Sequence, residues 1–188
     1  MLNTFFDKFI FTNGLKYKHN NFFLINIPFC IVPSELLVSI SALGKKQLDQ
    51  DIYYAVKDST RRSLLKQFDL DFGLEGKKNL GLISEFFSAS GWGKISIVDL
   101  DEKGARAIIV VNSSPVASAL HGKAKAPVDH FLRGIFAGLM WGFFNENVDC
   151  VETACTAIND QQCKFIIKKQ AEFDFSHNFT RMQLDPEH

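Results

Sequence analysis

The hydrophobic pattern is clearest over residues 128–143, where apolar side chains recur at spacings of three and four. This pattern predicts an amphipathic helix, with Pro127 as its first residue. Three glycines, Gly134, Gly138 and Gly142, lie four residues apart on it. Because each mid-helix glycine costs about 1 kcal/mol relative to alanine, we expect a close partner on that side. The partner is either the domain's own sheet or a neighbouring helix, or a second subunit.

The next segment alternates apolar and polar residues with a period of two, which predicts strands over 148–156 and 162–169. Residues 158–161 supply the turn between them. Strand alternation places Cys163, Phe165 and Ile167 on one face. Glu152 and Cys155 are an odd number of residues apart, so a regular strand directs them to opposite faces. They share a site only if the strand breaks or bulges near residues 153–154.

The same patterns give the remaining elements. They predict extended segments in residues 1–33, with a turn at Asn13-Gly14, and a β-hairpin formed by residues 93–100 and 105–112. Helices are predicted over 34–45, 47–68 and 79–90. The inward residues expected on the second of these helices are Leu48, Ile52, Ala55, Val56 and Ser59.

These elements predict an α+β fold with helices on one face of an antiparallel sheet of about four strands. The expected organisation is an N-terminal hairpin region over 1–33, one domain over 34–170, and a tail over 171–188 that docks as an extended strand or frays.

Composition narrows the classes of function. The 188 residues carry 21 basic and 21 acidic side chains without a basic cluster, which argues against nucleic acid as a partner. The longest uncharged apolar run, 134–144, is too short to span a bilayer. The N-terminal apolar run carries charges and no cleavage site, and the four cysteines lack the spacing of a disulfide scaffold. We therefore expect a cytoplasmic protein with no membrane span.

Two motifs carry a family resemblance. The run P-V-D-H-F-x2-G-x2-A-G, from residue 127, is followed by V-E-x2-C-x7-C-x-F, from residue 151. This pattern resembles the C-terminal signature of the 4-vinyl reductase domain family, as do Gly91-Trp92-Gly93 and the run Val-Val-Asn-Ser at 110–113. That family is related in fold to vesicle-tethering subunits and to the sensor domains of aromatic-responsive activators. The resemblance implies a ligand-binding fold like that of the vesicle-tethering subunits.

The resemblance also implies a structural zinc site. Several members hold zinc with a Cys at the helix start, a Glu and two further Cys, which correspond here to Asp129, Glu152, Cys155 and Cys163. This sequence departs from the pattern at Asp129. A carboxylate oxygen also binds zinc, and His130 is an alternative ligand next to it.

Three functions remain open. The first is a binding or sensing domain for a small hydrophobic or aromatic ligand; the second is a tetrapyrrole 4-vinyl reductase-type enzyme; the third is a scaffold subunit. The sequence contains no P-loop, dinucleotide fingerprint or Ser-His-Asp order, which favours the first. Nineteen phenylalanines and the glycine spacing predict a homodimer. The residues expected to line an apolar ligand pocket are Phe86, Phe87, Trp92, Phe136 and Met140.

Overall fold

The computed structural model of the protein describes residues 15–24, 27–64 and 77–184. Its strands are β1 (Leu15–Lys18), β2 (Asn21–Leu24), β3 (Ile27–Phe29), β4 (Lys94–Asp101), β5 (Arg106–Asn112), β6 (Asp149–Ala154) and β7 (Cys163–Lys168). Its helices are α1 (Ser34–Ser41), α2 (Lys46–Ser59), α3 (Lys77–Phe87), α4 (Pro115–Ala119), α5 (His130–Phe144) and α6 (Asn178–Gln183). A π-helical turn follows α2 over Thr60–Leu64, and another follows α3 over Ser88–Trp92.

The main sheet has four antiparallel strands in the order β4-β5-β7-β6. Helix α5 packs on β6 and β7 and also on α2. Buried side chains of α5 and of the two central strands form the main core, in which the rings of Phe136 and Phe165 meet edge to face at 5.0 Å. The predicted α+β fold with a four-stranded antiparallel sheet is confirmed.

A second, smaller sheet precedes the main domain. It has three antiparallel strands in the order β1-β2-β3, and β1 and β2 are joined by a turn at His19 and Asn20. Both turn residues have positive φ, 50° and 62°. The turn predicted at Asn13-Gly14 lies outside the described residues.

The central helix begins later than the sequence pattern predicts. Helix α5 starts at His130, and Asp129 precedes it with φ −86° and ψ 53°, so the prediction of Pro127 as first residue is wrong. The backbone N–H of Asp129 instead donates to Glu152 Oε2 at 3.1 Å. This bond draws the segment before the helix towards β6. The helix ends at Phe144 and is capped by Asn145, which is left-handed with φ 53°.

Two of the three spaced glycines contact α2. A Cβ on Gly134 would lie 2.8 Å from the backbone oxygen of Tyr53, and a Cβ on Gly138 would clash with the backbone oxygen of Lys57. Glycine at both positions therefore allows the two helix backbones to approach each other. Gly142 is exposed. Packing within the domain accounts for the first two glycines, so they give no support to a subunit contact.

The buried face of α2 differs from the prediction. Ala55 and Ser59 are exposed, whereas the buried residues of this segment are Gln50, Tyr53, Lys57 and Thr60. The reason is a buried carboxylate at the start of β6, which the helical periodicity of α2 does not reveal. Asp149 Oδ1 accepts a hydrogen bond from Tyr53 Oη at 2.7 Å and lies 2.6 Å from Lys57 Nζ.

The described part of the C-terminal tail is ordered against the domain. The tail was expected to extend or fray, but it forms α6, which packs on β6. Leu184 is fully buried, and Gln183 Nε2 donates to the backbone oxygen of Glu152 at 2.8 Å. The tail thus covers the strand that carries Glu152.

Candidate functional site

Four side chains meet below the start of α5. Asp129, Glu152, Cys155 and Cys163 each offer one ligand atom, and these atoms all lie within 4.8 Å of one another. All four residues are buried. We call this set the acid–thiol group. It joins the start of α5 to β6 and β7, which are distant from it in sequence.

A break in the register of β6 makes this convergence possible. Glu152 pairs with Phe165, but the next pair is Ala154 with Lys164, so the ladder shifts between them. The extra residue reverses the side-chain alternation. Cys155 can therefore face the same side as Glu152, and the predicted bulge is confirmed.

Two carboxylate oxygens in the group have no hydrogen-bond partner among the described residues. Asp129 Oδ1 accepts from Ser114 Oγ at 2.8 Å, and Glu152 Oε2 accepts from the Asp129 backbone. Asp129 Oδ2 and Glu152 Oε1 are buried without a partner. A buried acceptor left unpaired costs about 1–3 kcal/mol, and more if it is charged. The nearest groups to these carboxyls are the thiols, Cys163 beside Asp129 and Cys155 beside Glu152, which are weak hydrogen-bonding groups.

The two thiols differ in acidity. Their sulfurs are 4.0 Å apart, and the Thr156 backbone N–H donates to Cys163 Sγ at 3.5 Å. The hydrogen bond between the two thiols, followed by those with Thr156, lowers the pKa of Cys163 to about 6. The hydrogen bond to Cys163, together with burial and the nearby Glu152, raises the pKa of Cys155. Cys163 is therefore the residue that favours the thiolate form.

Burial raises the pKa of both carboxyl groups well above the ordinary range. The negative charge of Cys163 adds to this effect at Asp129, and that of Asp129 adds to it at Glu152. Neighbouring acids in a dry site cannot all ionise, because each charge is both poorly solvated and repelled by the others. A divalent cation removes this conflict, because it is itself the counter-charge. Two sulfurs and two carboxylate oxygens form a set that zinc accepts.

His130 lies outside the acid–thiol group. Its Nδ1 is 3.5 Å from Arg133 Nη1, and its Nε2 is 3.4 Å from Asp49 Oδ1. Burial, with a smaller effect from Arg133, lowers the pKa of His130 to about 3. The imidazole is therefore neutral at pH 7. The structure brings together the other four predicted ligands and directs His130 elsewhere.

A small apolar cavity of about 10 Å³ lies between α3, α5 and the sheet. Ser84 is the one polar residue among those lining it; the others are Leu80, Ile83, Phe87, Ile95, Ile97, Ile109, Phe136, Leu139 and Met140. This volume holds about one water molecule. A surface depression of about 360 Å³ shares Leu80, Ser84 and Ile97 with the cavity. Those three residues thus separate the cavity from solvent.

The predicted pocket residues fall into two sets. Phe87, Phe136 and Met140 line the cavity, whereas Phe86 and Trp92 do not. Phe86 packs edge to face on Phe87 at 5.3 Å. The prediction omitted the isoleucines of β4 and β5, although strand alternation could have indicated them. Strand alternation shows which residues share a face, but not which helix covers that face.

In the part of the chain that the structure describes, no helix has the length and apolar character needed to cross a membrane.

Residues 107–169 match the sequence model of the V-4-R domain, the domain of the 4-vinyl reductase family. This segment contains most of β5, all of α5 and the whole acid–thiol group, and the match confirms the resemblance to that family. No curated protein sequence matches the chain.

Three solved structures resemble the fold. The phenol-responsive sensory domain of the transcription activator PoxR, solved with phenol, has a TM-score of 0.73 and 14% identity, covering 98% of this chain and 99% of that one. A vinyl-4-reductase family protein from Methanocaldococcus jannaschii has a TM-score of 0.51 and 15% identity, covering 74% and 83%. A trafficking protein particle complex subunit 3 from Naegleria fowleri, covalently bound to palmitic acid, has a TM-score of 0.50 and 14% identity, covering 71% of this chain and 92% of that one. At these identities the likeness establishes the fold.

Proposed function

We propose that this protein is a small-molecule-binding sensory domain that takes an apolar aromatic ligand in the cavity between α3, α5 and the sheet. The observation that carries the proposal is an almost wholly apolar cavity in a fold whose TM-score to a phenol-sensing domain is 0.73 over 98% of the chain. Ligand sites are mostly apolar with a few placed polar groups. The one polar group here is Ser84.

Entry requires the cavity to enlarge, because a cavity that binds benzene has a volume of about 150 Å³. Ile97 is half-buried and lies between the cavity and the surface depression. Movement of this side chain would connect the cavity to the depression. With one hydroxyl in its lining, the cavity should prefer toluene to phenol, since desolvating the phenol hydroxyl is poorly compensated.

Titration of toluene and phenol into the purified protein, followed by calorimetry, tests this proposal. We expect saturable binding, with toluene the tighter ligand, and tighter binding still in Ile97→Ala. Val98→Ala serves as the matched control, because Val98 is 58% exposed on the same strand and does not line the cavity. Failure of both aromatics to bind wild type and Ile97→Ala would overturn the assignment.

We further propose that the acid–thiol group holds one structural zinc ion. The two unpartnered oxygens, on Asp129 and Glu152, and the lowered pKa of Cys163 support this. Four protein ligands leave no open position for water, so the ion would stabilise the fold rather than catalyse a reaction. It would tie the start of α5 to β6 and β7. Metal analysis of untagged protein should find one zinc per chain.

A further inference from the structure

A second pocket, much larger than the apolar cavity, opens beside the start of α5. It has a volume of about 630 Å³ and lies between α1, α2, the segment 120–128 and the end of α6. Small-molecule sites typically occupy a few hundred to a thousand cubic ångströms. The pocket shares no lining residue with the apolar cavity or the acid–thiol group. We call it the basic pocket.

The charges that line the basic pocket are mostly positive. Four cationic side chains line it, Lys46, Lys123, Lys125 and Arg133, against one carboxylate, Asp49. Four minus one leaves an excess of three positive charges, in a chain whose formal net charge is zero. The lysines are exposed, and Arg133 is 1% exposed. The pocket thus has lysines near solvent and a guanidinium at depth.

The guanidinium of Arg133 is held in place by two backbone oxygens. Its Nε donates to the backbone oxygen of Cys150 at 3.1 Å, and its Nη2 donates to that of Gln183 at 2.8 Å. Within the described residues, no carboxylate lies within 4 Å of it. Its Nη1 lies 3.5 Å from His130 Nδ1, and the guanidinium packs over the ring of Tyr53 at 4.3 Å. A guanidinium carries five N–H donors, and at most three are used here, so at least two remain for an acceptor in the pocket.

Three further side chains at the pocket each have a buried polar atom without a hydrogen-bond partner among the described residues: Gln50, Ser41 and Asp49, whose Oδ1 lies 3.4 Å from His130 Nε2. Gln50 is 3% exposed and Ser41 is 4% exposed, and both line the pocket. Gln50 Nε2 and Ser41 Oγ have no hydrogen-bond partner among the described residues. Buried polar atoms are normally hydrogen-bonded, so an unpartnered pair beside a pocket points to an acceptor that arrives from outside.

We propose that the basic pocket is a second ligand site, which binds a small carboxylic acid with an apolar body. The carboxylate accepts hydrogen bonds from Arg133 and Gln50, and the lysines attract it from solvent. The apolar body lies against the remaining wall, formed by Leu120, Ala124, Ala126, Pro127, Val128 and Met182. That wall favours a carboxylic acid over inorganic phosphate, which has no apolar surface to bury.

The experiment compares benzoate, benzyl alcohol and inorganic phosphate by isothermal titration calorimetry on the full chain. We expect saturable benzoate binding and no measurable binding of the other two. Gln50→Met keeps the volume and removes the donor, so benzoate should bind about tenfold more weakly. Lys123→Gln with Lys125→Gln should weaken it by about the same factor. Asp49→Asn removes the opposing charge and should tighten it by about threefold.

Lys94→Gln is the matched control, because Lys94 is an exposed lysine on β4 that does not line the pocket. Arg133 is left unchanged because its hydrogen bonds to Cys150 and Gln183 also support the fold. Benzoate binding that is absent, or that Gln50→Met and the double lysine variant leave unchanged, overturns the proposal. Equal binding of benzyl alcohol or phosphate overturns it too, because a carboxylate with an apolar body is then not what the pocket selects.

Discussion

The acid–thiol group and the apolar cavity both contact α5, yet they differ in what they reveal. In the group, Asp129 Oδ2 and Glu152 Oε1 are buried without hydrogen-bond partners among the described residues, and two thiols lie beside them. The cavity has one polar residue in its lining and a volume of about 10 Å³. The acid–thiol group therefore indicates a ligand by the oxygen and sulfur atoms that it presents. The cavity indicates one by little more than its apolar surface.

The difference has a physical cause. An unpaired buried acceptor costs free energy, so its presence in a folded protein requires an explanation. An apolar cavity leaves no polar atom unpaired, so its lining alone does not identify what fills it. At the acid–thiol group, single atoms indicate the chemical class of the ligand. At the cavity, the ligand depends on the size of the cavity and on how its walls move.

The largest effect is expected from losing both thiols. Cys155→Ser with Cys163→Ser removes the sulfur ligands, and metal binding at a closed site contributes to folding. We expect Tm to fall by about 10 °C, the shift that roughly 3 kcal/mol gives in a domain of this size. Differential scanning calorimetry of the untagged protein measures it.

Cys150→Ser is the control, because Cys150 is equally buried but lies outside the group. A chelator should lower the Tm of wild type and of Cys150→Ser and leave the double variant unchanged. If Cys150→Ser loses as much stability as the double variant, and the chelator has no effect on wild type, the group holds no structural ion.

Enlarging the cavity gives the next largest effect. Leu139→Ala removes a buried side chain from its lining, and such changes cost about 2–5 kcal/mol. Toluene at a hundred times its dissociation constant should restore about 2.7 kcal/mol, seen as a rise in Tm. Leu132→Ala, on the same helix and buried but not lining the cavity, should be destabilised without recovery. Equal recovery of the two variants would contradict a specific site.

Glu152→Gln is expected to change Tm in opposite directions with and without bound metal. With metal bound, the variant loses a charged ligand and its Tm falls, because one partner of a buried charged set has been removed. With metal chelated, the variant loses a carboxyl group that is unfavourable to ionise, because burial raises the pKa of Glu152. Its Tm should then equal or exceed that of chelated wild type. Thermal melts with zinc and with a chelator separate the two. A decrease of the same size in both conditions would mean that Glu152 acts through its contacts with the protein alone.

The smallest effect is expected at Asp49. Burial raises the pKa of Asp49 to about 6, and the positive charge of Arg133 opposes this rise. A folded pKa above the ordinary value of 3.8 means that wild type loses stability as pH rises from about 4 to 6. Asp49→Asn avoids this loss, so its advantage in Tm over wild type should grow across that window and then level off. Asp51→Asn, which replaces an exposed carboxylate on the same helix, is the matched control. A constant difference at all pH values would contradict the raised pKa.

Much of the fold was predictable because its signals are local. The period of α5, the alternation of β6 and β7 and the hairpin of β4 and β5 all depend on neighbours in sequence, and these elements formed as expected. The buried face of α2 was not predictable, because Lys57 is drawn inward by Asp149, 92 residues away. Helical periodicity classes a lysine as exposed and carries no information about a distant carboxylate.

The sequence alone determined the α+β class and the four-stranded antiparallel sheet, because periodicity is a property of the chain itself. The acid–thiol candidates followed from the family resemblance. The odd spacing of Glu152 and Cys155 meant that they could share a site only if the strand broke or bulged near residues 153–154, where the register does shift. Only the tertiary structure separated His130 from Asp129, since adjacent residues at a helix start point in different directions. It alone revealed the basic pocket too, because Gln50 on α2 is more than 70 residues from Lys123 and Arg133 in the sequence.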